Sequence, residues 1–129
     1  MSPVRLLLVS LLLACSGGGQ DSAALEVKRT TLTDEGTACV QDGAVQVTFP
    51  YCLSSSCDTL VSATCEAELV DGVVVVHGEA IIDTQGVTCT ADCGIVQATC
   101  ALPTVEDPDA TNLSYGGADH PVSDACPPM

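Results

Sequence analysis

Nine cysteines in a chain of 129 residues constrain the fold of this protein more than any other feature of its sequence. One of them, Cys15, ends an apolar run near the N-terminus that is typical of exported proteins. The other eight cysteines are an even number, which in a small exported domain is typical of a disulfide framework. The eight are Cys39, Cys52, Cys57, Cys65, Cys89, Cys93, Cys100 and Cys126. We therefore expect a small domain stabilised by four disulfides.

The sequence alone does not decide between the pairings of these eight cysteines, which number on the order of a hundred. Spacing favours two short loops, closed by Cys52 with Cys57 and by Cys89 with Cys93, worth about 2 kcal/mol each in the chain-entropy model. Long-range disulfides are worth about 4 kcal/mol in the same model. The fold should therefore depend mainly on the remaining cysteines, which are Cys39, Cys65, Cys100 and Cys126.

Aromatic side chains are too few to build the core. The chain has no Trp, and its aromatic residues are Phe49, Tyr51 and Tyr115. The core must therefore consist of Val, Leu, Ile and Ala, each of which buries less area than an aromatic ring. A domain of this size and composition has modest hydrophobic stability, and this is a physical reason for it to carry many disulfides.

Alternation of apolar and polar residues predicts an all-β domain. The clearest element is a hairpin of strands 62–70 and 73–83 around the turn Asp71-Gly72, with Cys65, Ala67 and Leu69 facing inward on its first strand. On its second strand the predicted inward residues are Val74, Val76, Gly78, Ala80 and Ile82, with His77 and Glu79 outside.

Five further strands are predicted, at residues 25–31, 44–49, 94–102, 112–115 and 120–123. About seven short strands at this spacing indicate a small, disulfide-rich, immunoglobulin-like β-sandwich. The segments LVSATCEAEL and IVQATCALP have a similar character, and each carries a cysteine on its inward face. This similarity predicts a disulfide between Cys65 and Cys100.

The first residues of the chain form an export signal. Arg5 is the only charge before the apolar run 6–13, which is too short to cross a bilayer as a helix. The residues Leu12-Leu13-Ala14-Cys15 resemble a bacterial lipobox. That resemblance implies acylation of the Cys15 thiol and cleavage before it, and Ser16 after the cysteine implies sorting to the outer membrane. The alternative is an ordinary secretory signal with an unmodified cysteine near the cleavage site.

These features divide the chain into three parts. Residues 1–14 are the predicted signal peptide, and residues 15–24 are the lipidated cysteine with a flexible tether rich in Gly, Ser and Ala. Residues 25–129 are predicted to form a single β-sandwich domain. Acyl chains on Cys15 would hold the protein at the bacterial cell envelope, because each buried methylene contributes about 0.8 kcal/mol.

The chain is strongly acidic, with a formal net charge of −14 from 17 acidic residues and only three basic ones. Nucleic acids and anionic membrane surfaces are disfavoured as partners, because binding to phosphate requires a basic surface. The acidic residues are spread along the chain, which is typical of a solvated surface that resists aggregation.

Metal binding is the alternative that the sequence leaves open. The close cysteine pairs, Cys52 with Cys57 and Cys89 with Cys93, have spacings that occur in Zn²⁺ sites. The acidic 106–112 loop offers oxygen ligands to Ca²⁺, although it lacks the alternation and the glycine of an EF-hand loop. Its candidate ligands are Glu106, Asp107, Asp109 and Asn112.

No catalytic motif stands out. The only histidines are His77 and His120, and neither lies in a nucleophile motif. The cysteine pairs also differ from the two-residue spacing of thiol-exchange enzymes. We therefore expect no enzymatic activity, no catalytic residue and no cofactor.

The cysteine pattern is similar to that of a group of small cysteine-rich bacterial lipoproteins of unknown function. The similarity consists of CLSSSCD at 52–58, CTADCG at 89–94, and an ATC at 63–65 and again at 98–100. It covers residues 39–100. It implies an extracytoplasmic compartment and a compact domain, and no site residue. The expected function is that of a lipid-anchored envelope protein with a structural or interaction role, whose partner is an unidentified envelope protein or ligand.

Overall fold

The computed structural model describes residues 26–128 and contains eight β-strands in that part of the chain. The strands are β1 (Val27–Thr33), β2 (Thr37–Gln41), β3 (Ala44–Leu53), β4 (Asp58–Val70), β5 (Val73–Gln85), β6 (Gly94–Ala101), β7 (Asn112–Tyr115) and β8 (Ala118–Pro121). The predicted all-β class is confirmed.

The strands form two sheets. In the first sheet, β5 pairs with β4 along one side and with β1 and β7 along the other, and β8 pairs with β7 at the edge. The second sheet has three antiparallel strands in the order β2-β3-β6. The predicted disulfide-rich two-sheet sandwich is confirmed.

Two Asp-Gly turns fix the register of the main hairpins. Asp71-Gly72 joins β4 to β5 as predicted, and Asp42-Gly43 joins β2 to β3 in the same way. Both residues of each turn have positive φ, from 50° to 80°, as a two-residue hairpin turn with the right-handed twist of its strands requires. Strand β2 was not among the strands predicted from the sequence, although the Asp-Gly turn that follows it carries the same signal.

The core lies between the two sheets and consists mainly of aliphatic side chains. Val74, Val76, Ala80 and Ile82 of β5 are buried, and Gly78 lies buried among them. His77 and Glu79 are exposed, so the predicted orientation of this strand is confirmed. The second sheet and the chain beyond β6 contribute the remaining core residues, which are Ala38, Val45, Val47, Phe49, Val96, Ala98, Leu113, Tyr115 and Val122.

Leu69 departs from the predicted inward face of β4. It shares a face with its register partner Val74, but it is 46% exposed because β4 is the edge strand of its sheet. At the C-terminal end, β8 begins at Ala118, two residues earlier than the predicted strand, because the Gly116-Gly117 turn starts the return strand at once.

All eight cysteines of the described region form disulfides. Cys65 of β4 is joined to Cys100 of β6, as predicted, and this disulfide connects the two sheets. Cys39 of β2 is joined to Cys126, a sequence separation of 87 residues. The C-terminal segment is thereby attached to the edge of the second sheet.

The two predicted short-loop disulfides are wrong. Cys52 is joined to Cys93 and Cys57 to Cys89, so each close pair is split. The reason is that β3 and β6 are antiparallel neighbours, and Leu53 is the register partner of Gly94. Residues 52–58, at and after the end of β3, therefore lie beside residues 89–93, which come just before β6.

Candidate functional site

A groove of about 680 Å³ lies between the second sheet and residues 120–128, which we call the C-terminal segment. Its lining includes Thr37 and Gln41 from β2, Gln46 and Thr48 from β3, and Gln97 from β6. A smaller cavity of about 240 Å³ shares Gln41 and Gln46 with it. The two cavities therefore adjoin.

Strand register explains why these side chains line one surface. Val45, Val47 and Phe49 point into the core, so the alternating residues Gln46 and Thr48 lie on the opposite face of β3. Register pairing then gives two rows across the sheet, first Thr37, Thr48 and Gln97, and next Cys39, Gln46 and Thr99. Hydroxyl and amide groups thus make up most of these two rows on the outer face of the second sheet.

The second sheet carries no charge. Its strands Thr37–Gln41, Ala44–Leu53 and Gly94–Ala101 contain no Asp, Glu, Lys, Arg or His. The first sheet, in contrast, has charged residues on β1, β4, β5 and β8. In a chain of net charge −14, the outer face of the second sheet is therefore an uncharged surface.

Two of the amides in the groove have no partner within residues 26–128. The side chains of Gln41 and Gln46 make no hydrogen bond to this part of the chain, although Gln46 is half-buried. Gln97 donates from Nε2 to the hydroxyl of Thr48 over 3.2 Å. Hydrogen-bonding capacity therefore remains free in the shared part of the two cavities.

The C-terminal segment forms the other wall of the groove. Cys126 donates its backbone N–H to the carbonyl of Val40 over 3.1 Å, and Ala125 forms a parallel bridge with the same residue. The disulfide from Cys126 to Cys39 holds the segment in place. Further lining residues of this wall are His120, Pro121, Asp124, Pro127 and Pro128.

A second polar cluster lies where residues 52–58 meet residues 88–93. Asp58 accepts hydrogen bonds from the Ser54 N–H over 2.7 Å and from the Thr84 hydroxyl over 2.5 Å. Across the junction, the Ser54 hydroxyl lies 3.0 Å from that of Thr90, and Asp92 accepts from the Ser55 N–H. Two disulfides span the same junction. The polar groups of this cluster form hydrogen bonds with one another, which indicates a structural role.

The hydrogen bonds of this cluster favour the charged form of its carboxylates. The hydrogen bond from Thr84, followed in size by that from Ser54, lowers the pKa of Asp58. The hydrogen bonds from Ser55 and Thr90 lower the pKa of Asp92. A carboxyl group whose pKa is lower in the folded state stabilises the fold above its unfolded pKa of about 3.9, and this stabilisation is lost as the pH falls.

We therefore expect Asp58→Asn to flatten the acid limb of the stability curve. The free energy of unfolding of the original protein should fall more steeply below about pH 4 than that of the variant, because only the original must protonate the hydrogen-bonded Asp58 carboxylate. Urea unfolding between pH 7 and pH 2.5, with disulfides intact, measures this. Asp71→Asn, at an exposed turn position, is the control, and equal slopes for Asp58→Asn and the original protein would contradict the prediction.

The predicted Ca²⁺ ligands do not converge. The side chain of Asp107 accepts a hydrogen bond from the N–H of Asp109, and its carbonyl accepts one from the Thr111 hydroxyl, so the loop is organised by its own turn. Glu106 and Asn112 are exposed. Among residues 26–128, no three His, Cys, Asp or Glu side chains are grouped in a way that could hold a metal ion.

The other candidate residues also have defined positions. The Zn²⁺ alternative needs thiolates from Cys52, Cys57, Cys89 and Cys93, and these sulfurs form disulfides.

His77 Nδ1 lies 3.3 Å from an Asp34 carboxylate oxygen on the exposed side of the first sheet, and His120 lines the groove. Cys15, the predicted lipid attachment site, lies outside the described residues, as do the predicted signal peptide and tether.

The groove residues were not predicted from the sequence; they are Gln41, Gln46, Thr48 and Gln97. The signal that could have found them is the absence of charge from three strands of a very acidic chain.

No family model, curated protein or solved structure matches this chain. Within residues 26–128, no helix has the length and apolar character needed to cross a membrane.

Proposed function

We propose that this protein is a lipid-anchored component of the bacterial cell envelope, sorted to the outer membrane, with a non-enzymatic interaction role. The observation that carries the proposal is the distribution of its nine cysteines. Eight are consumed in four disulfides, which leaves Cys15, at the end of the apolar run 6–13, as the ninth. Disulfides persist in oxidising compartments outside the cytoplasm, which supports export of the domain.

The groove supports an interaction role. Ligand sites are concave and mostly apolar, with a few convergent polar groups, and this groove combines amides and hydroxyls with proline rings and a disulfide. The two histidines lie on different strands of the first sheet, His77 on β5 and His120 on β8, and of the two only His120 lines the groove. The protein would therefore act by binding a ligand or an envelope protein while acyl chains hold it at the membrane.

Replacement of Cys15 tests the anchor. When the full chain is produced in a bacterium that processes lipoproteins, we expect it in the detergent-extracted membrane fraction, with an intact mass equal to residues 15–129 plus acyl chains. Cys15→Ser should lose the acyl mass entirely, because a hydroxyl is not the thiol that the acyl chains require. Alkylation without reductant should modify none of the eight paired cysteines.

Ser16→Ala is the matched control, since it changes the neighbouring residue and keeps the thiol. It should retain the acyl mass. A mature protein with an unmodified Cys15, or one cleaved elsewhere, would contradict the proposal.

A further inference from the structure

We propose that the groove is a binding site for a neutral, hydroxyl-rich ligand of the oligosaccharide class. This inference rests on the proposed interaction role and specifies its ligand. The binding surface is the outer face of the second sheet at Gln41, Gln46, Thr48 and Gln97, together with the facing C-terminal segment.

The dimensions of the groove suit a short linear ligand. Its volume of about 680 Å³ falls within the range of about 300 to 1,000 Å³ typical of ligand pockets. The adjoining cavity of about 240 Å³ extends it past Gln41 and Gln46 toward the β2-β3 turn. A ligand of several linked units could therefore occupy both cavities.

The polar groups of the groove match those of a sugar. A hydroxyl both donates and accepts hydrogen bonds, and an amide side chain carries two donors and one acceptor. Gln41 and Gln46 have no partner within residues 26–128, and Gln97 uses only one donor, toward Thr48. These side chains can therefore exchange hydrogen bonds in both directions with the hydroxyls of a ligand.

The apolar groups of the groove match the C–H faces of sugar rings. Pro121, Pro127 and Pro128 line it together with the Cys39–Cys126 disulfide. These groups have no hydrogen bond to offer, so their contact with a ligand is favourable only where the ligand is apolar. Alternating C–H and O–H groups are characteristic of sugars.

The charge of the groove argues against anionic ligands. The strands of the floor carry no charged residue, and each cavity is lined by one carboxylate, Asp124 in the larger and Asp42 in the smaller. Apart from the two histidines, the only basic residues of the described chain are Lys28 and Arg29; neither lines the groove, and Arg29 is paired with Asp83. A phosphate or carboxylate ligand would therefore meet a carboxylate with no Lys or Arg beside it to balance the charge.

The strand edges next to the groove argue against an extended peptide. Peptides gain much of their affinity by adding a strand to an open sheet edge. Here the carbonyl of Val40 on β2 already accepts from Cys126, and that of Pro121 at the end of β8 accepts from Asp124. The unpartnered amides of Gln41 and Gln46, in contrast, lie on the face of the sheet, which favours a ligand recognised through its hydroxyls.

Titration calorimetry of the purified mature protein, in a zwitterionic detergent free of sugar head groups, tests the inference. The probes are neutral oligomers of three to six units, namely β-1,4-linked glucose, α-1,4-linked glucose and β-1,4-linked N-acetylglucosamine. An oligogalacturonate is the anionic probe, and an uncharged Ser/Thr/Gly octapeptide is the peptide probe. We expect at least one neutral oligomer to bind with a Kd below about 1 mM, and no binding of the other two probes.

Substitutions in the floor of the groove should weaken that binding. Gln46→Ala and Gln97→Ala should each raise the Kd at least tenfold. Gln46→Glu should do the same with the shape of the side chain kept, because it removes both amide donors. Glu66→Gln, on the exposed side of the first sheet, is the control and should leave the Kd unchanged. Unchanged thermal unfolding shows that each variant is folded.

Failure to bind any neutral oligomer, binding that Gln46→Ala and Gln97→Ala do not weaken, or binding of the peptide alone would each overturn the inference. The acyl mass at Cys15 is measured separately, so this inference can fail while the lipid anchor stands. Glycan binding by original protein that proves to carry no acyl mass would support the groove and contradict only the anchor.

Discussion

Reduction of the four disulfides is expected to unfold the domain at 25 °C. The disulfides close sequence separations of 32, 35, 41 and 87 residues, each worth about 4 kcal/mol in the chain-entropy model. A domain of ordinary stability has only about 5 to 15 kcal/mol. The core that would have to hold the sheets together has Phe49 and Tyr115 as its only fully buried aromatic residues.

Far-ultraviolet circular dichroism and one-dimensional proton NMR, before and after reduction and alkylation, measure this effect. Retention of dispersed NMR signals after complete alkylation would show that the core suffices alone to keep the domain folded.

Two double variants then separate the contributions of individual disulfides to stability. Cys65→Ala/Cys100→Ala and Cys57→Ala/Cys89→Ala open loops of nearly equal length, so the chain-entropy model predicts equal losses of about 4 kcal/mol. A larger loss for the first variant would show that the connection between the sheets adds native-state stability.

Gly36→Ala is expected to lower the free energy of unfolding by about 3 kcal/mol or more. Gly36 has a φ of 96°, which side chains other than that of glycine rarely adopt. A Cβ atom there would lie 2.0 Å from the Thr48 carbonyl oxygen and 3.0 Å from the Phe49 Cα. Both are backbone atoms of β3 beside the core, so the clash is relieved only by moving the strand.

Gly43→Ala is the matched control for this effect. Gly43 also has a positive φ, 76°, but a Cβ atom there meets nothing within 4 Å. Its cost should be that of the backbone conformation alone, about 1 kcal/mol. Urea unfolding of both variants with disulfides intact compares them, and equal losses would show that the close approach of Gly36 to β3 is unimportant.

Much of the sheet architecture could be predicted because it follows from local chemistry. The alternation of β5 and the Asp71-Gly72 turn fixed which of its side chains face the core. The predicted contact between Cys65 and Cys100 also followed from alternation, which places both cysteines on inward faces of strands.

The parts that could not be predicted depend on which strands become neighbours. Cys52 and Cys57 are five residues apart, but the pairing of β3 with β6 brings Cys93 to Cys52 instead. The groove has the same origin, because register alone aligns Thr48 of β3 with Gln97 of β6. Periodicity assigns a residue to a face of its own strand and does not identify the strand beside it.

The attachment of Cys126 to Cys39 sets the order in which the protein can mature. A chain is made and exported from its N-terminus, and Cys126 follows Cys39 by 87 residues. Cys39 can therefore reach its native partner only after Cys126 has followed it, whereas the other three disulfides need no cysteine beyond Cys100. A chain truncated before Cys126 lacks the native partner of Cys39, so an odd number of cysteines among residues 26–125 distinguishes it from the complete domain.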